Sequence, residues 1–184
     1  MFFHQRASHR CCTNHIEGLQ DDHGAWQIDR NRIATIVEDF YRELFTTSNL
    51  IHMENVLSSV AKVVTDGMNE TLAQPYTEDE VHKALFQMHP SKAPGLDGMS
   101  PFFLKKYWHI VGPDVTSVVL SILHLGRCLR KMNFTHIVLI PKKNNPQCIT
   151  DFRPISLSNV VSRIVSKVLA NCLKIVLPNV ISDS

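Results

Sequence analysis

The sequence predicts an α+β chain, mostly helical, with a β-hairpin in its last third. Three observations predict it. Apolar residues recur at i, i+3 and i+4 in several stretches bounded by capping residues, the pattern of helices with one buried face. One run, His136 to Ile140, is instead continuously apolar and rich in β-branched residues, which fits a short, well-buried strand. Pro141 closes that run, and a polar turn and a second extended piece follow it.

The 184 residues suffice for one domain of moderate size or a small domain with an appendage, and 44% are hydrophobic, as in a globular protein. No apolar run approaches the roughly 20 residues of a membrane span, and MFFHQRASHR lacks the apolar centre of a secretory signal. Five cysteines in no regular pattern lead us to expect reduced thiols and an intracellular location, nucleus or cytoplasm. The net charge of +2 hides an asymmetry. Residues 1–91 carry 7 Lys+Arg against 13 Asp+Glu, a net of −6, and residues 92–184 carry 12 against 4, a net of +8. A basic second part suits a polyanionic partner such as nucleic acid. Mutual attraction of the two parts explains the charges equally simply.

Residues 1–29 show little to fold around. His9, Cys11, Cys12 and His15 suggest zinc, but there is no C-x-x-C, and adjacent cysteines rarely share one tetrahedral ion. Asp21-Asp22-His23-Gly24 makes a turn. Asp29 or Asn31 caps a helix to about Phe45, with Ile33, Ile36, Val37, Phe40, Tyr41, Leu44 and Phe45 as its apolar stripe, and Thr46 to Asn49 break it. Glu54 to Asn69 reads as one weakly patterned helix. Thr77 and Glu80 form a capping box, with Val81, Ala84, Leu85 and Met88 as the buried face and Pro90 as the stop.

Ser91 to Ser100, SKAPGLDGMS, is a rigid turn, since Pro94-Gly95 and Asp97-Gly98 permit tight reversals. Ser100 and Pro101 then begin an aromatic helix as N-cap and first-turn proline. Gly112-Pro113-Asp114 is expected to reset the chain before a long helix from Val115 to about Leu129, with Arg127, Arg130 and Lys131 at its negative end. After the hairpin, Ser158 or Asn159 caps a last helix from Val160 to about Leu177, which Pro178 stops.

Between these helices lies FTHIVLIPKKNNPQCITDFRPISL, residues 134–157. Lys142 to Pro146 form a polar turn. An extended piece over Ile149 to Ile155 follows, with Phe152-Arg153 held extended by Pro154. Lys142, Lys143 and Arg153 fall near the tip of this β-loop-β unit, and ammonium and guanidinium groups are what proteins use to hold phosphates. On charge pattern alone, solvated turn residues are the simpler reading.

Several motifs stand in one order. Lys92-Ala93-Pro94-Gly95-Leu96-Asp97-Gly98 resembles the KAPGPDG segment of reverse transcriptases from non-LTR (LINE-type) retrotransposons. Ile140-Pro141-Lys142 with Asp151-Phe152-Arg153-Pro154-Ile155-Ser156-Leu157 resembles their next block, and Lys167-Val168-Leu169-Ala170-Asn171 is similar to their K-x-L-A-N-R-L segment. Phe2-Phe3-His4 and Gly24-Ala25-Trp26 resemble the linker between endonuclease and polymerase in plant elements. The sequence departs from the family at Leu96, where a second proline is usual, at Cys172, where arginine is usual, and at Cys11-Cys12-Thr13, normally basic. With the early end, these departures suggest a decayed genomic copy.

The resemblance implies a partial right-hand polymerase, with residues 1–75 as linker and 76–184 as the fingers, ending before palm and thumb. The complete family enzyme is an RNA-directed DNA polymerase, a nucleotidyltransferase that copies an RNA template from a DNA primer with two Mg ions on palm aspartates. Those aspartates have no match here, so this fragment is expected to hold no metal, to have no catalytic residues and to be inactive alone. By resemblance, Arg153 and then Lys142 contact the incoming nucleotide, and Lys92 and Lys143 contact nucleic acid. For Lys92 and its turn, a purely architectural role stands equally open. The competing functional readings are a stand-alone nucleic-acid-binding module and a non-functional transposon remnant.

Overall fold

A computed structural model of the chain describes residues 15–47, 53–58, 62–126 and 130–181. The chain divides into two compact units. The first joins Met1–Met53 to Ile137–Ile155, and the second joins Glu54–His136 to Ser156–Ser184.

In the first unit, β1 (Leu19–Gln20) pairs antiparallel with β2 (Trp26–Gln27), Gln20 opposite Trp26. The turn between them is built by Asp21. Its carboxylate accepts the backbone N–H of His23 and Ala25 and the side-chain amide of Gln27 at 2.7–3.0 Å, while Gly24 takes the left-handed φ of 78° that the reversal needs. Helix α1 (Arg30–Phe45) starts at Asp29, whose carboxylate accepts the N–H of Asn31 and Arg32. Tyr41 of α1 is buried with Leu19, Ile149 and Phe152, and Ile33, Ile36, Val37, Phe40 and Leu139 pack around them. The end of the predicted stripe is not covered: Leu44 and Phe45 are exposed.

The second unit is helical. It contains α2 (Met53–Leu57, whose first residue falls in the other unit), α3 (Asp66–Leu72), α4 (Glu78–Gln87), α5 (Pro101–Lys106), α6 (Trp108–Leu125), α7 (Arg130–Asn133), α8 (Val160–Leu173) and α9 (Leu177–Val180). Its core is Val81, Ala84, Leu85 and Met88 beneath α4, Leu104 of α5, Val119 of α6, and Val160, Ile164 and Val168 of α8. The Thr77–Glu80 capping box forms as expected. Lys105 closes the other end of α4 by donating to the carbonyls of Phe86 and Met88 at 3.0 and 2.5 Å. Strands β3 (Thr135–Pro141) and β4 (Phe152–Ser158) pair as a two-stranded sheet.

Five local expectations are corrected. Glu54–Asn69 is not one helix: residues 62–65 are non-helical, and the Thr65 hydroxyl caps α3 by accepting the N–H of Met68. Gly112-Pro113-Asp114 does not reset the chain, because α6 runs through it from Trp108. Gly112 serves close packing instead, since a Cβ there would lie 2.8 Å from the Trp108 ring. Pro113 stands in the second turn of α6, where only a few ladder hydrogen bonds precede it. The helix stops at Leu125 rather than Leu129, on Gly126 with φ 64°. Arg127 lies outside the described residues, and Arg130 opens α7 instead of closing α6. The last helix ends at Leu173, and Pro178 falls in the first turn of α9.

The fifth correction concerns the hairpin. Residues 136–140 form the expected strand, but it is not well buried: Ile137, Val138 and Ile140 are each about two-fifths exposed, and Leu139 alone packs on a core. A sheet of two strands offers little cover to either face. Within the predicted extended piece, Ile149–Asp151 is a single 3₁₀ turn that leads into β4.

One composition reading also changes. Helix α6, with 18 residues and a mean hydropathy of 1.2, is long and apolar enough to cross a membrane by length and composition. One face of it is used for packing: Val119 lies in the second unit's core, and Val111, Val115, Leu120 and Leu123 pack against that core.

Candidate functional site

The connection between β3 and β4, residues 142–151, is held by one carboxylate. Asp151 accepts the backbone N–H of Gln147 at 2.9 Å and of Cys148 at 3.1 Å, and the Lys143 ammonium lies 3.0 Å from its other oxygen. These two backbone donors, and then Lys143, hold the carboxyl down to about 2. Lys142 closes the loop from the opposite side. Its backbone N–H donates to the Asp151 carbonyl and its ammonium to the Thr150 carbonyl, both at 2.7 Å. Asn145 turns the chain with φ 54°, a left-handed conformation that asparagine tolerates. The loop is tied to β1 by the Gln20 N–H donating to the Gln147 carbonyl at 2.8 Å, and the Cys148 thiol donates to the Gln20 side chain.

Beside this loop lies a cleft of about 750 Å³, lined by His15, Glu17, Trp26, Lys142, Lys143 and Asn145 among others. Trp26 is half-exposed and projects from β2. Bare backbone backs its indole on one side: a Cβ on Gly18 would approach the ring to 2.6 Å. The Asp21 turn sets where β2 begins, and the hydrogen bonds from Ala25 and then Gln27 lower the Asp21 pKa.

The structure thus brings Lys142 and Lys143 to one cleft. Arg153 belongs to the same unit, exposed on β4 next to buried Phe152; it does not line that cleft, and among the described residues its guanidinium has no hydrogen-bond or ion-pair partner. Lys92 lies in the second unit, exposed, where its backbone N–H donates to the His89 carbonyl. In the turn that follows Lys92, Gly95 meets the start of α8: a Cβ would lie 2.6–2.7 Å from the Asn159 side chain, the Asn159 nitrogen and the Ser158 carbonyl. That packing gives the turn a structural role of its own, with the Lys92 side chain left at the surface. Sequence reasoning missed Trp26 as a site residue. The available signal was an aromatic residue just after a D-x-x-G reversal, but its sharing a cleft with residues 142–147 depends on the fold.

Among the described residues, no three His, Cys, Asp or Glu side chains gather as a metal ion requires. His9, Cys11, Cys12 and the Phe2-Phe3-His4 segment lie outside the described residues.

No family model matches this sequence. The chain is similar to the "Transposon TX1 uncharacterized 149 kDa protein" of Xenopus laevis, with 32% identity over 155 residues. The match takes in 83% of this chain and 12% of that protein, so the chain spans about an eighth of its relative's length. This identity across most of its residues supports a transposon origin for the chain.

Proposed function

We propose that the chain is a fingers fragment of an RNA-directed DNA polymerase from a LINE-type retrotransposon of the plant kind, and that its β3–β4 hairpin meets nucleic-acid phosphates. The observation that carries this reading is the loop of residues 142–151. Asp151 and the Thr150 carbonyl hold two lysines in place, yet each ammonium has three N–H donors and uses one of them within the loop. The ordered motifs from Lys92 to Asn171 and the transposon relative support the same reading. Arg153, unpartnered among the described residues, is assigned to the triphosphate of the incoming nucleotide, and Lys142 is assigned to it as the second contact. Lys143 and Lys92 are assigned to the strand backbone.

The described residues do not fit the pair of Mg ions that the complete enzyme would use, since that chemistry needs clustered carboxylates. Asp151 is engaged by Lys143, Gln147 and Cys148, and Asp97 accepts the N–H of Met99. In this reading the chain binds and orients strands and does not polymerise by itself.

The test is fluorescence anisotropy of the purified chain with a labelled single-stranded RNA across a salt series. The expected result is binding that weakens as salt rises, and that Arg153→Ala and Lys142→Ala each weaken for any sequence while reducing the salt slope by about one. Primer extension by the wild-type chain, or binding indifferent to salt and to both substitutions, overturns the proposal.

A further inference from the structure

We propose that the cleft beside Trp26 is a stacking site for one base of a single-stranded nucleic acid, with the adjoining phosphate held by Lys142 and Lys143. The proposal deepens the reading above, rests on it, and adds a base-stacking role that the sequence reading gave to no residue of the first unit.

Four features carry it. First, the indole is accessible and is backed on one side by the bare backbone of Gly18. Trp26 is 49% exposed, while the Asp21 turn sets where its strand begins. An aromatic face backed in this way loses less freedom when a base stacks on it, and such stacking tolerates any base. Second, the rest of the cleft is mixed: Glu17, Asn144 and Gln147 line it with polar groups, and Ile16, Ile140 and Phe152 with apolar ones. An exposed aromatic face with polar groups around it offers a nucleobase partners for both its π-face and its hydrogen-bonding edges.

Third, the charges sit on one side of the composition. Lys142 and Lys143 keep donors free after their contacts with Thr150 and Asp151. Glu17 is the acidic residue of the lining, so a phosphate is drawn to the lysines rather than distributed over the cleft. Fourth, about 750 Å³ lies within the size range of sites for small organic groups.

The measurement compares two strands of equal length and charge, a uridine oligomer and an abasic oligomer, by anisotropy with the wild-type chain and with Trp26→Ala, Trp26→Phe, Lys142→Ala and Arg153→Ala. The wild-type chain is expected to hold the uridine strand at least about fivefold more tightly than the abasic strand. Trp26→Ala should remove that preference and leave abasic binding unchanged. Trp26→Phe, which keeps a ring, should retain most of it. Lys142→Ala should weaken both strands.

Equal affinity of the wild-type chain for the two strands overturns the stacking site without recourse to any variant, so a misfolded Trp26→Ala does not shelter the proposal. A Trp26→Ala chain that keeps the full preference overturns it too. If both strands bind alike and both weaken on Arg153→Ala, the stacking site falls while the phosphate-binding function stands. If neither strand binds, both fall.

Discussion

Asp151 shows how one side chain fixes a loop. Its carboxylate accepts the N–H groups of Gln147 and Cys148 and meets the Lys143 ammonium, so three groups near the tip of the hairpin answer to it. All three interactions favour the charged form, which is why its pKa falls to about 2 from the ordinary 3.8. The folded state therefore releases this proton more readily than the unfolded state. The stability it supplies is complete above about pH 4 and is lost as pH drops toward 2. Thermal unfolding measured across that window should show a falling Tm in the wild-type chain. Asp151→Ala should start from a lower Tm at neutral pH and should lose less over the same acid range. An identical acid limb in both proteins would mean that another carboxylate governs it. The Lys143 ion pair is exposed on the lysine side, so the two backbone hydrogen bonds are expected to carry most of the effect.

Among the elements, the turn containing Gly95 makes the sharpest prediction. The turn lies against the Ser158 carbonyl and the Asn159 nitrogen where β4 passes into α8, and there is no room for a methyl group. Because the obstacle is backbone rather than the end of a flexible side chain, Gly95→Ala is expected to cost about 1–3 kcal/mol in chemical denaturation, as overpacking does. A Gly95→Ala chain as stable as wild type would mean that this contact is not made in solution. The same elements show why some structure was legible in the sequence and some was not. Helix α4 was readable from Thr77 to Met88 because a capping box and an apolar face are local facts. Gly112-Pro113 misled because its purpose, room for the Trp108 ring, involves a side chain on the preceding turn. Strand β3 was found, but its exposure was not, since burial depends on what covers a sheet rather than on which residues compose it. For the site, the clustered lysines were visible in the chain and Trp26 was not, because it reaches them only through the fold.

At the scale of the whole molecule, the chain is stabilised by two separate cores. Leu19, Tyr41, Ile149 and Phe152 form one, and the residues of α4, α5, α6 and α8 form the other; among the described residues no buried residue belongs to both. The larger core includes Ile164, fully buried where α8 packs on α4. Truncating it leaves a cavity, at a cost of about 2–5 kcal/mol. If each unit opens on its own, that loss falls on the second unit alone. Hydrogen exchange on Ile164→Ala should therefore show faster exchange throughout α4, α6 and α8, with protection in α1 and around Leu19 and Phe152 as in wild type. Loss of protection everywhere would instead make the chain a single cooperative unit. The outcome bears on function, because Lys142, Lys143, Arg153 and Trp26 all belong to the first unit. If the units open independently, the Ile164→Ala chain should keep most of its affinity for a uridine oligomer, losing at most the contribution of Lys92 in the second unit.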